Sequence, residues 1–384
     1  MDPDRLAELL ADQGVLTDPR WRAALHAVPR HLFVPAVAWA RPDRLAGVGH
    51  RIDLARDPVR WWETVYSDAV IVIQIDDGAG DPALGEGQAT SSVSAPGIVV
   101  VMGELLGVRP GDRVLEVGTG SGWTAALLAH LAGPGGGVLS LEVDPVLAAR
   151  AIEHLAGLTG LTGLPEIRVE DAAVATLDPA SYDRLHVACG VDEIPWSWVE
   201  ALRIGGTGVV PWCPPFGIGN RLRFTRTGPE EAVGALHGPC GFMMMRSQRT
   251  ELGRVSDFLH DWDLRETRPA GLHPQLLVCD PLGDWRGHGG DTAIAAMVPG
   301  VAYWLRDGDL LLYESHPGAR ENGSWALAHG GEVASVGPRD LWAEVTRAWL
   351  RWVELGRPAR TDLRMTITPA GSRLWSGDPG TGSL

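Results

Sequence analysis

The chain has 384 residues, 45% of them hydrophobic, which allows one large domain with a smaller companion and excludes wholesale disorder. Its 48 acidic residues against 33 basic ones leave a formal charge of −15 with no local basic stripe, so nucleic acid is not an expected partner. Every basic residue is arginine, and the absence of lysine excludes both a Schiff-base lysine and a P-loop.

The N-terminus, Met1-Asp2-Pro3-Asp4-Arg5, is acidic and runs into an amphipathic segment. It does not read as a signal peptide, and a cytoplasmic location is expected. Residues 3 to 28 predict two short helices, on Leu6, Leu9 and Leu10 and then on Trp21, Ala24, Leu25 and Val28, with Thr17 or Asp18 as a cap before Pro19. Residues 36 to 94 read as irregular apart from a strand at 70–75. Pro96 opens a helix to about Leu106, with Ser94 as its candidate cap. The apolar stretch from 95 to 108 contains Glu104 and is too short to cross a bilayer.

From residue 111 the pattern is regular. Strands at 113–117, 137–141, 166–169, 184–189 and 208–211 are interleaved with helices at 124–131, 146–155 and 196–202. Alternation of this kind predicts a parallel sheet with helices on both faces. Segments 221–225 and 232–236, joined by Gly228-Pro229-Glu230, predict an antiparallel pair that finishes the sheet.

Beyond about residue 250 the character changes. Hairpins are expected around Asp307-Gly308 and Gly330-Gly331, and Asp340 caps a helix with Leu341, Val345, Trp349, Trp352 and Val353 on one face. Half of the 16 tryptophans lie in this last third, and an aromatic face of that size reads as core packing. Cys189, Cys213, Cys240 and Cys279 are too irregularly spaced for CxxC pairs or a disulfide framework, so reduced thiols and no metal are expected.

The chemistry concentrates after the strand at 113–117, in Glu116-Val117-Gly118-Thr119-Gly120-Ser121-Gly122. A strand, a glycine turn and a helix present backbone N–H groups to a ligand. A dinucleotide fingerprint needs a third glycine where Trp123 stands, so a pyrophosphate is not the expected ligand. What stands instead, Glu116-x-Gly118-x-Gly120-x-Gly122, closely resembles the first motif of class I methyltransferases. That resemblance implies S-adenosylmethionine, which carries an ammonium, a carboxylate and a cationic sulfur but no phosphate. It places Glu116 near the ammonium and the amides of Gly118, Thr119, Gly120, Ser121 and Gly122 near the carboxylate. Glu142, with Val143 beside it, would take the ribose hydroxyls, and Asp171 with Ala172 the adenine.

The flanking segments are similar to the protein-L-isoaspartate O-methyltransferase family. Val28-Pro29-Arg30-His31-Leu32-Phe33-Val34-Pro35 resembles its N-terminal signature, and Ser92-Val93-Ser94-Ala95-Pro96 its segment ahead of the helix that leads to the cofactor strand. Tyr182-Asp183-Arg184-Leu185-His186-Val187-Ala188-Cys189 and Leu202-Arg203-Ile204-Gly205-Gly206 match further stretches, and the likeness covers roughly residues 5 to 245. It implies a class I, Rossmann-like α/β fold with antiparallel C-terminal strands, followed by a strand-rich α+β extension. Ser94 would face the acceptor carboxylate, with Ser92 and His186 as substrate contacts. The domains implied are a helical, substrate-contacting segment at 1–110, a cofactor-binding core at 111–246 and a substrate-recognition extension at 247–384.

Two departures shape the functional reading. The segment at 42–62, with Trp61-Trp62, is longer than the family's, and the extension passes the point where the family's repair enzymes are expected to end. The extended arrangement resembles methyltransferases that accompany ATP-grasp enzymes in ribosomal-peptide biosynthesis, where methylation of an aspartate leads to an aspartimide. The leading expectation is therefore a carboxyl O-methyltransferase acting on such a peptide, with isoaspartate repair as the alternative. A cofactor-binding scaffold without catalysis is the third reading, opposed by the intact Glu116, glycine loop and Glu142.

Overall fold

The computed structural model describes residues 3–42, 48–161, 163–249, 266–278, 288–316, 319–378 and 384. Met1, Asp2, Cys279, Trp262 and Trp285 lie outside the described residues. The chain divides into two compact units, one of Met1–Cys189 with Ser197–Val210 and one of Gly190–Trp196 with Pro211–Leu384.

The first unit opens with α1 (Pro3–Asp12) and α2 (Pro19–Ala27). Asp18 caps α2, accepting from the Arg20 amide at 2.9 Å, and Pro19 supplies a preset φ in the first turn. Thr17 gives its amide and hydroxyl to the Glu104 carboxylate instead. A 3-10 turn at Arg30–Phe33 follows.

Residues 36 to 94 are not irregular. They contain β1 (Val37–Pro42), β2 (His50–Asp53), α3 (Pro58–Val65), β3 (Ala69–Ile75) and β4 (Ala89–Val93), and the strands form an antiparallel sheet in the order β2-β1-β3-β4. Only β3 is apolar enough to announce itself. The strand β4, Ala-Thr-Ser-Ser-Val, is extended because it pairs with β3, Val72 opposite Ser92 and Ile71 opposite Val93.

Helix α4 (Pro96–Leu106) starts where expected, but Ser94 does not cap it. Ala95 occupies the cap position without a side-chain bond, and the Gly97 amide is taken by Asp68 Oδ1 at 2.7 Å. A carboxylate from another part of the chain thus satisfies a donor that the local sequence leaves open.

The core of this unit is β5 (Arg113–Val117), α5 (Trp123–Ala132), β6 (Gly137–Glu142), α6 (Pro145–Ala156), β7 (Glu166–Val169), β8 (Tyr182–Val187), α7 (Trp196–Ala201) and β9 (Leu202–Trp212). Strands β7-β6-β5-β8-β9 run parallel in that order. This is the doubly wound, mostly parallel sheet expected. The chain steps outward from β5 to β7 on one side and restarts at β8 on the other. In open sheets of this kind ligands bind at the carboxyl ends of the strands flanking that reversal. The segment after β5 is the glycine loop.

The second unit carries the strand-rich region. Here β10 (Asn220–Arg226) and β11 (Ala232–Pro239) form the expected antiparallel pair. Further along lie β12 (Arg268–Pro269), α8 (Gln275–Val278), α9 (Gly290–Met297), β13 (Val301–Arg306), β14 (Asp309–Glu314), α10 (Ala319–Asn322), β15 (Trp325–His329), β16 (Glu332–Val336), α11 (Leu341–Glu354), β17 (Leu363–Thr368) and β18 (Gly371–Ser376). A five-stranded antiparallel sheet, β12-β16-β15-β14-β13, contains both expected hairpins. The last two strands were not expected: β18 pairs with β17, and β17 with β11. A domain boundary at 246/247 falls inside this unit, whose compact body begins at Pro211. Trp342 and Trp352 on α11 are buried and donate their ring N–H groups to the carbonyls of Ala270 and Pro358, which makes them core residues.

Candidate active site

The loop from Gly118 to Gly122 bends three times through left-handed backbone, with φ of +91° at Gly118, +54° at Gly120 and +86° at Gly122. Gly122 also allows a close approach, whereas Gly120 lies at ordinary contact distance from its neighbours. A Cβ on Gly122 would stand 3.1 Å from the Ala151 methyl on α6, and one on Gly120 would stand 3.4 Å from Ser91 Oγ and 3.6 Å from the Ser92 carbonyl on β4. The second contact puts the expected acceptor segment directly against the loop.

The loop amides are largely spent within the protein. Gly118 and Thr119 donate to the Leu141 carbonyl, Gly122 to the Thr119 carbonyl and Trp123 to Ser121 Oγ. Gly120 donates to Glu142 Oε2 at 2.8 Å. These amides are therefore not the free donors expected for a ligand carboxylate, because the tight turn and Glu142 already satisfy them.

Glu142, at the end of β6, also accepts from the Asp144 amide at 3.0 Å through Oε1. Each carboxylate oxygen has two lone pairs and can accept more than one hydrogen bond. Val143 is half-buried beside it. Asp171 accepts from the Ala173 amide, and the Ala172 carbonyl accepts from the buried Trp198 ring N–H. The Glu170 amide donates to the Glu142 carbonyl, which holds the start of this turn to the end of β6.

Parallel register explains the cluster beneath the loop. Glu116 on β5 lies level with Ser140 on β6 and with His186 on β8, so the three side chains share one row. Ser140 Oγ donates to Glu116 Oε2 at 2.5 Å, and the Thr119 hydroxyl lies 2.6 Å from Ser140 Oγ. His186 Nδ1 is 3.8 Å from Glu116 Oε1, and neither atom has a hydrogen-bond partner. Burial, reinforced by the Glu142 charge and opposed by the Ser140 bond, pushes the Glu116 carboxyl up to about 8. Burial also pushes His186 down to about 4.

Two expectations are corrected here. Glu116 is entirely enclosed, and that burial holds its carboxyl well above the ordinary carboxylate range, so it is not the ready negative charge of an exposed carboxylate. His186, expected to touch substrate, is only 3% exposed and faces the Glu116 carboxyl. Ser92 and Ser94 are half-buried on and after β4, and the Ser94 carbonyl is bonded to Arg30.

Other residues were missed. His154 on α6 donates from Nδ1 to the Ser121 carbonyl at 3.0 Å while Phe33 packs edge-on against its ring. Ser91, Arg30 and Asp68 also shape the site. Arg30 stands in the family-like segment at 28–35 without a role being read for it, and no local pattern marks the others, because each acts through a contact far away in sequence. Among the described residues, Cys189, Cys213 and Cys240 form no disulfide. Among the described residues no cluster could hold a metal ion, and no helix is long and apolar enough to cross a membrane.

Comparison with known proteins converges on the same family. Residues 55–227 match the family model described as Protein-L-isoaspartate(D-aspartate) O-methyltransferase. The chain is 33% identical over 245 residues to a protein-L-isoaspartate O-methyltransferase of Methanopyrus kandleri, covering 62% of this chain and 89% of that one. A namesake from Aeropyrum pernix is 35% identical over 209 residues, covering 54% of this chain and 65% of the relative, just under two thirds of its length. Among solved structures, one titled protein-L-isoaspartate O-methyltransferase superposes with a TM-score of 0.53 at 18% identity, covering 98% of this chain and 100% of that chain. That likeness concerns fold, and it spans the C-terminal region as well as the parallel core. The chain belongs to the protein-L-isoaspartate O-methyltransferase family, whose members are S-adenosylmethionine-dependent carboxyl methyltransferases.

Proposed function

We propose that this enzyme transfers a methyl group from S-adenosylmethionine to the free carboxylate of an isoaspartyl residue in a protein or peptide. Membership of the family supports the reaction. The observation that carries the reading is the nearness of Gly120 to Ser91 and Ser92, where a Cβ would fall within contact distance, which sets a cofactor loop beside an acceptor segment. The residues fit the cofactor: Glu142 can take a diol, and the unpartnered Glu116 Oε1 is a polar group under the loop. When bound, the cofactor supplies a methyl group on a positively charged sulfur.

The acceptor needs no activation, since a carboxylate with a pKa near 4 is already ionised at neutral pH. The only histidine of the cluster is enclosed and its basicity is depressed by burial. What the chain must do is hold one carboxylate oxygen in line with the methyl group and remove water from both partners. The half-buried Ser94 hydroxyl is assigned to donate to that carboxylate, with Ser92 assisting. Glu142 and Val143 are assigned to the ribose end, and Asp171 with Ala172 to the base. Residues 247–384 are read as the region that selects among substrates.

The peptide-tailoring reading rested on the C-terminal extension. The relatives named for isoaspartate methylation support the alternative over it, and the alternative is the reading adopted. The test is mass spectrometry after incubation with S-adenosylmethionine and an isoaspartyl peptide, its aspartyl twin, or a cyclised aspartate-rich peptide. One added methyl on the isoaspartyl peptide alone is expected, and Gly120→Asp should abolish it. Methylation of the cyclised aspartyl peptide alone, followed by loss of methanol, would restore peptide tailoring.

A further inference from the structure

Arg30 is 1% exposed, and its guanidinium is aimed at backbone from two separate stretches. Nη1 donates to the carbonyls of Val65 at 2.8 Å and Ser67 at 3.3 Å. Nη2 donates to Ala69 at 2.7 Å, Val93 at 3.3 Å and Ser94 at 2.8 Å. The first three carbonyls belong to the link from α3 to β3, and the last two to the end of β4. On its other side, Arg30 Cζ lies 5.2 Å from the ring of Trp123, the residue that follows Gly122. Trp123 in turn donates its ring N–H to the Val28 carbonyl at 3.1 Å.

Five buried or half-buried carbonyls on one planar fork are an arrangement that only arginine can serve. Lysine has three donors on a single point charge and cannot span two strands at once. The bonds must outweigh a substantial cost, because burial pushes the guanidinium down to about 9 even against the opposing charges of Asp68 and Tyr66. Asp68 belongs to the same assembly, taking the Gly97 amide just beyond Ser94.

We infer that Arg30 is a positioning residue for methyl transfer: its guanidinium sets the backbone of Val93 and Ser94 against the helix that begins at Trp123, fixing the acceptor side of the site relative to the cofactor loop. This rests on the reading of Ser94 as the residue facing the acceptor carboxylate. A displacement of about 1 Å in such alignment costs roughly 100-fold in rate, so the loss should fall on kcat. The cofactor contacts assigned to Glu142 and Asp171 are made elsewhere and should survive.

The test is a double-mutant cycle of Arg30→Lys with Ser94→Ala, reading kcat, the KM for an isoaspartyl peptide and the Kd for S-adenosylhomocysteine by calorimetry. Arg30→Lys is expected to lower kcat by about 10- to 100-fold while leaving the Kd within about twofold of wild type, well under 1 kcal/mol. The double variant should be no slower than the slower single one, because both changes remove the same alignment. Independent, multiplying losses, or an unchanged kcat in Arg30→Lys, would overturn the inference. Full activity in Ser94→Ala would instead strike the reading of Ser94, an outcome visible in that arm alone. Should Arg30→Lys not fold, Asp68→Ala replaces it in the cycle under the same criteria.

Discussion

Each unit buries a cluster of polar side chains, and the two clusters are finished differently. In the second unit Arg360, only 1% exposed, grips both oxygens of Asp291 at 2.8 and 2.9 Å and donates to Asn220 Oδ1 at 2.8 Å and to Thr292 Oγ1. Apart from the guanidinium Nε, every charged group there has found a partner. In the first unit Glu116 and His186 stand 3.8 Å apart with one atom each left unbonded. A satisfied buried network ties elements together, whereas one left incomplete costs stability and persists where a site needs it. The contrast separates a staple from a binding floor.

Breaking the staple should have the largest effect. Arg360→Met leaves Asp291 buried without its cation, and loss of one partner of a buried pair costs about 3–5 kcal/mol. Denaturant unfolding should report that loss while cofactor affinity, a property of the first unit, stays unchanged. Replacing both partners, Arg360→Met with Asp291→Leu, should recover most of it. A fall in cofactor affinity would erase the distinction between the clusters.

The binding floor should reveal itself through pH. Glu116 rises from 4.5 to about 8 on folding, so the folded chain holds the extra proton and the stabilisation is lost as pH climbs through 8. His186 falls from 6.5 to about 4, which destabilises the fold only as pH drops below 6.5. Between about 6.5 and 8 the Glu116 slope therefore stands alone within this row, whose other members are Ser140, Thr119 and the nearby Glu142. The melting temperature of the ligand-free protein should decline across that window, and Glu116→Gln should flatten the decline. An identical slope in the variant would show that Glu116 does not carry the extra proton. The smallest effect is expected from His154→Ala, which removes one hydrogen bond to the Ser121 carbonyl and should cost about 1 kcal/mol in thermal unfolding.

How much of this could be read from the residues alone depends on how local the cause was. The parallel core was legible because its strands are short apolar runs and its glycines sit where the chain turns left-handed. The sheet at 37–93 was not, because β2 and β4 are short and polar and owe their extension to pairing. Strands β17 and β18 were overlooked although Leu363, Met365 and Ile367 alternate inward with a period of two, a signal present in the letters. At the site, the motif located Gly118, Gly120, Gly122 and Glu142. It could not foresee that Glu142 takes the Gly120 amide or that Glu116 is sealed in, since both follow from register between strands.

The arrangement around Ser94 also has a consequence for the order in which the protein is made. Arg30 and Asp68 precede Ser94 in the chain, the carbonyls that Arg30 gathers end at Ser94, and the amide that Asp68 accepts from, at Gly97, follows shortly after. Every polar partner of this clamp is therefore synthesised before the glycine loop. Only Trp123, which lies against the guanidinium, comes later. The acceptor side of the site can be assembled during translation as a frame, and the cofactor loop then folds onto it.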